Sequence, residues 1–103
     1  MASACLLLTW GLGHFNISDR RLKQDVDLVG RSPAGVPIYT WRYTAEAQRL
    51  GLVPSLTVAA RFRGTMAQDL LTLPQFAGAV LTTPSGFYAV DYSQLDVAME
   101  QLE

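Results

Sequence analysis

Between residues 79 and 92 the chain changes its chemistry in a way that leaves little choice of local structure. Ala79-Val80-Leu81-Thr82 is apolar and β-branched, Thr83-Pro84-Ser85-Gly86 is turn chemistry, and Phe87-Tyr88-Ala89-Val90-Asp91-Tyr92 is again rich in strand formers. Two such runs around a Pro/Ser/Gly loop predict a β-hairpin, which excludes an all-helical fold.

The rest of the chain reads as further strands and short helices. Val26 and Leu28 alternate with Asp25 and Asp27, the period of a half-buried strand over Asp25 to Val29, and Gly30 ends it. Turn residues from Arg31 to Pro37 lead into Ile38 to Tyr43, a strand with Tyr39, Trp41 and Tyr43 on one core-facing side. Ala45 to Leu50 suits a short helical turn, Thr57 to Arg63 a strand, and Met66 to Leu71 a short helix closed by Pro74. Ser93, with Asp96 three residues on, predicts a capped helix to Leu102 whose one face carries Leu95, Ala98, Met99 and Leu102. The expected fold class is α+β: a small, mostly antiparallel sheet with a β-hairpin and short helices.

At 103 residues the chain suffices for one domain with one core. Half its residues are hydrophobic and 17% are charged, which argues against disorder and leaves a surface suited to self-association. The net charge of -1 and scattered basic residues provide no stripe for a phosphate backbone, so no nucleic-acid partner is expected. One Cys and one His make neither an internal disulfide nor a zinc ligand set. Cys5 reads as a small apolar residue and His14 as a packed or surface residue. No phosphate loop or paired-carboxylate site appears, so no metal or cofactor is expected. The run Cys5-Leu6-Leu7-Leu8-Thr9-Trp10 lacks the preceding positive charge of a signal peptide and is too short to span a bilayer, so no membrane partner is expected.

Reactive chemistry concentrates in Ser18-Asp19-Arg20-Arg21-Leu22-Lys23. A Ser hydroxyl is a weak nucleophile at neutral pH, and a Lys can activate it only if burial or neighbouring cations, here Arg20 and Arg21, lower its pKa from about 10.4. Residues five apart lie about 140° apart on an α-helix and on opposite sides of a strand, so a Ser18–Lys23 pair demands a turn between them. The structural alternative is that Ser18 and Asp19 cap a turn while Arg20, Arg21 and Lys23 form a solvated surface. Gln68, in the next polar motif, suits either a backbone hydrogen bond or orientation of the Ser18 region.

Taken together with Gly64-Thr65-Met66-Ala67-Gln68-Asp69-Leu70 and Phe87-Tyr88-Ala89-Val90-Asp91-Tyr92-Ser93-Gln94-Leu95, the SDRRLK segment resembles the peptidase S74 family. These are the intramolecular chaperone domains at the C-terminus of phage tail spikes, tail fibres and endosialidases, also found in the myelin regulatory factor proteins. The resemblance covers roughly Ser18 to Leu95. It implies a Ser18/Lys23 dyad, supported by Asp19, Arg21 and Gln68, that cuts the bond between Ile17 and Ser18 once three chains have assembled. It implies Arg21 or a backbone N–H as donor to the oxyanion. It further implies a homo-oligomer, an upstream fibre or spike segment as partner, and a place in a virion or a phage host's cytoplasm. Residues 1–17 are then a short stalk remnant or pro-segment and residues 18–103 the chaperone domain. A non-catalytic assembly or capping module of the same fold is the alternative, and an unrelated small α+β binding domain a third reading.

Overall fold

The computed structural model describes residues 15–53 and 59–102. The strands are β1 (Phe15–Ile17), β2 (Lys23–Arg31), β3 (Pro37–Tyr43), β4 (Arg61–Gly64), β5 (Val80–Thr82), β6 (Tyr88–Asp91) and β7 (Glu100–Leu102), and the helices α1 (Ala45–Arg49) and α2 (Ala67–Leu70). They form two antiparallel sheets, one in the order β1-β6-β5 and one in the order β2-β3-β4-β7. The fold is α+β, as the sequence pattern predicts.

The expected hairpin is present but shorter, from Val80 to Asp91, because Ala79 and Tyr92 lie in flanking 3-10 turns. Val80 pairs with Val90 and Thr82 with Tyr88, and Gly86 closes the loop at φ +90, a conformation that a side chain would disfavour. Edge strand β1 joins its other side, so Phe15 to Ile17 are hydrogen-bonded into this sheet.

Both sheets contribute to one core. Ile17, Ala89 and Val90 come from the first, Trp41, Tyr43 and Phe62 from the second, and Ala67 and Leu70 from α2. Trp41, Tyr43 and Phe62 have no solvent-exposed surface, and ring contacts edge to face link Tyr43 to both neighbours. Each such burial stabilises the fold by roughly 1.5–3 kcal/mol. Tyr39, expected on the same buried face, is only half-buried: it lies at the rim, where its hydroxyl donates to Asp69 at 2.5 Å.

Three further expectations need correction. Strand β2 runs longer than Asp25 to Val29, and its register shifts twice, between Gln24 and Asp27 and between Leu28 and Gly30. Asp25 sits at φ +53 within the first irregularity. The bulges break the expected alternation, so Val26 is half-buried but Leu28 is 57% exposed. The strand expected over Thr57 to Arg63 begins only at Arg61; Thr57 and Val58 lie outside the described residues.

The third correction is the helix expected from Ser93 to Leu102. A single 3-10 turn at Tyr92–Gln94 is followed by extended chain and by β7, which pairs with β4. The capping groups are used elsewhere: Ser93 Oγ donates to Asp91, and Asp96 accepts from Ala34 N–H. Val97 and Met99 are buried and Asp96 and Ala98 exposed, a period of two that offers β4 a strand partner and outweighs helix propensity.

Candidate functional site

The site lies where β1 ends and β2 begins. Ser18 is pinned through both of its peptide groups: its N–H donates to the Tyr88 carbonyl at 3.2 Å, and its carbonyl accepts from Ala67 N–H at 2.9 Å. A 3-10 turn at Arg20–Leu22 then reverses the chain so that Lys23, first residue of β2, comes back beneath Ser18. This supplies the turn that the five-residue spacing demands.

Lys23 Nζ donates to Ser18 Oγ at 2.7 Å and to the Thr65 carbonyl at 2.8 Å. Ser18 is fully buried and Lys23 is 7% exposed. Burial pushes the Lys23 amine well below its usual range. Asp19 and Asp69 oppose the shift, and Arg20 adds to it. The Trp41 ring, whose centroid lies 3.4 Å from Nζ, favours the cation but cannot replace lost water. The expectation that both arginines lower this pKa therefore needs revision: burial dominates and Arg20 assists, while Arg21 is committed to Asp19.

Asp19 carries the structural half of the motif. Its carboxylate is buried and accepts five hydrogen bonds: from Arg21 N–H, Nε and Nη2, from Gln68 Nε2 and from Tyr88 N–H. Burial alone would raise its pKa, but these donors hold it down at about 2. The first also caps the 3-10 turn. Asp19 thus ties together the turn, α2 and the hairpin around Ser18. Gln68 serves the same joint, its Oε1 accepting from Arg20 N–H at 2.9 Å.

The turn-cap alternative is half right. Asp19 does cap, and Arg20 and Arg21 are exposed, but Lys23 is buried against the serine. Arg21 Nη2 also reaches the Gly86 carbonyl at 3.1 Å, so its guanidinium is held by Asp19 and the hairpin loop rather than by the Ile17 carbonyl.

Two residues that sequence reasoning did not single out complete the site. Tyr92 Oη lies 2.8 Å from Ser18 Oγ and accepts from Thr65 N–H at 3.0 Å. Burial raises its pKa to about 12 against the opposing hydrogen bonds, so it stays a neutral donor. Tyr43 Oη donates to the Ile17 carbonyl at 2.6 Å, the carbonyl of the bond preceding Ser18. Their hint in sequence was only that one falls in the Phe87 to Leu95 segment and the other in an aromatic alternation that reads as core.

Gly64 makes room for Tyr92. A Cβ there would stand 2.6 Å from the Tyr92 hydroxyl and 2.9 Å from the Trp41 ring. Among the described residues no three His, Cys, Asp or Glu side chains gather to hold a metal ion, and no helix is long and apolar enough to cross a membrane. Cys5 and His14 lie outside the described residues. Compared with family models, curated proteins and solved structures, the chain matches none.

Proposed function

We propose that the chain is a self-processing assembly domain of the peptidase S74 type, which cuts its own Ile17–Ser18 bond once and self-associates, as three chains, to assist an upstream fibre or spike segment. The observation that carries this reading is the buried Lys23 amine, 2.7 Å from the hydroxyl of the residue that follows the bond. A desolvated amine with a lowered pKa can serve a serine hydroxyl as its base. The exposed Leu28, Val29 and Leu71 support self-association.

In the first step neutral Lys23 takes the Ser18 hydroxyl proton as Oγ attacks the Ile17 carbonyl carbon. The C–N bond breaks, the Lys23 ammonium returns that proton to the departing Ser18 amine, and Ile17 is left as an ester on Oγ. Water then attacks the ester with Lys23 again as base, and the proton returns to Oγ. The products are a chain ending in the Ile17 carboxylate and one beginning with a free Ser18 amine. Nucleophile and carbonyl belong to adjacent residues held by fixed hydrogen bonds, so little orientational entropy remains to be lost.

The test is a soluble tag fused before Met1, the chain made by cell-free synthesis and sampled over time on denaturing gels. Denaturation matters because β1 is paired with β6 and would hold the cut fragments together. The wild type should release the tag with residues 1–17, whereas Ser18→Ala and Lys23→Met should stay whole. A folded wild type that remains whole leaves assembly without catalysis as the better reading.

A further inference from the structure

We propose that Tyr43 is a catalytic residue of this cleavage, its hydroxyl stabilising the negative charge that develops on the Ile17 carbonyl oxygen; this rests on the reading that the Ile17–Ser18 bond is cut.

Backbone geometry makes the Ile17 carbonyl available. Alternate residues of an antiparallel pair bond to the partner strand. Ser18 N–H bonds to Tyr88, so neighbouring Ile17 directs its peptide groups away from β6. In the order β1-β6-β5 that side of β1 is an edge, with no further strand among the described residues. The group that meets the oxygen there is a side chain of the other sheet, Tyr43 Oη at 2.6 Å.

The same sheet places the base. Lys23 and Tyr43 are direct cross-strand partners in the β2–β3 ladder, so their side chains leave on one face. One rung thus sends an amine to the attacking oxygen and a hydroxyl to the oxygen that will accept the charge. A slip of the ladder by one residue would remove both together.

The donor is held in advance of the reaction. Tyr43 is fully buried, its ring packed edge to face against Trp41 at 6.0 Å and Phe62 at 5.1 Å. Burial, with Tyr92 nearby, raises its pKa well above the usual value, so it remains protonated wherever Lys23 can act as base. The hydroxyl has a weaker neighbour in Met99 Sδ at 4.0 Å, which competes little for its proton. A hydrogen bond to a charged oxygen is about twice as strong as one to a neutral carbonyl. The contact therefore favours the transition state over the resting chain. Arg21, held by Asp19 and Gly86, is not needed for this role.

Tyr43→Phe keeps the ring and removes only the donor. In the tag-release assay it should slow cleavage by about 10²–10³, with the pH midpoint set by Lys23 unmoved and the circular dichroism spectrum unchanged. A purely structural hydroxyl would lower the unfolding midpoint and leave the rate alone. Should the Phe variant fail to fold, 3,5-difluorotyrosine at position 43, a stronger donor, should release the tag faster than tyrosine does. A folded Tyr43→Phe chain that cleaves as fast as the wild type, or a difluorotyrosine chain no faster than it, overturns the proposal while leaving the Ser18/Lys23 reading intact. An uncut wild type sinks that reading instead.

Discussion

Replacing Asp19 by Asn should destabilise the domain in a way that depends on pH. The native carboxylate is held at about 2 against an ordinary 3.8, a difference worth roughly 2.4 kcal/mol at about 1.36 per pKa unit. Because Arg21 is 57% exposed, solvent screening trims this to about 2 kcal/mol. An amide also carries its own N–H groups. In place of Oδ2 it would face Arg21 Nη2 and Tyr88 N–H, and in place of Oδ1 it would face Arg21 N–H, Nε and Gln68 Nε2. Either orientation leaves a donor without its acceptor, for about 1–3 kcal/mol more. The expected loss at pH 7 is therefore about 3–5 kcal/mol. Asp19 has a lowered folded pKa, so its ionic contribution is complete above the unfolded value and is lost as pH falls through about 2. Urea unfolding of Ser18→Ala with and without Asp19→Asn, the first change preventing cleavage, measures the difference at each pH. That difference should shrink by about 1.5 kcal/mol between pH 4 and pH 2. A difference that is small at pH 7, or the same at every pH, would refute the reasoning.

Other outcomes follow from the same contacts. Lys23→Met removes a buried amine whose protonation opposes folding, and should raise stability at neutral pH while abolishing cleavage; calorimetry showing a loss would contradict this. The cleavage rate should climb with pH as Lys23 loses its proton and level off well below pH 10.5, whereas a rate that falls over that range would exclude Lys23 as base. Gly64→Ala should cost about 1–3 kcal/mol by pressing on Tyr92 and Trp41, and should slow tag release because Tyr92 can no longer reach Ser18. Sedimentation at micromolar concentration should show a species larger than 11.3 kDa, and a monomer throughout would count against assembly.

What could be read from sequence was whatever local chemistry decides. The 79–92 hairpin has two strand-forming runs and one turn, and nothing distant competes with it. The Ser18/Lys23 pair was not decided by local chemistry, which equally allowed a turn cap with a solvated basic surface; the resemblance carried by three motifs pointed to it, and the five-residue spacing then required a turn, which Asp19 caps. The C-terminal segment failed for the reason opposite to the hairpin's. Residues 93 to 102 carry both a helical face and an alternation through Leu95, Val97 and Met99, and only the open edge of β4 decides between them. Tyr43 and Tyr92 were hidden because their roles depend on register between segments far apart. An aromatic at a buried strand position reads as packing until its hydroxyl is placed against Ile17 or Ser18.

The central claim, that Ser18 and Lys23 cut the bond before Ser18, is tested most directly by an intact mass spectrum of the folded chain. The wild type should give two masses, for residues 1–17 and 18–103, and Ser18→Ala one. A single species of 11.3 kDa from folded wild-type protein, or fragments divided at any other bond, would contradict it.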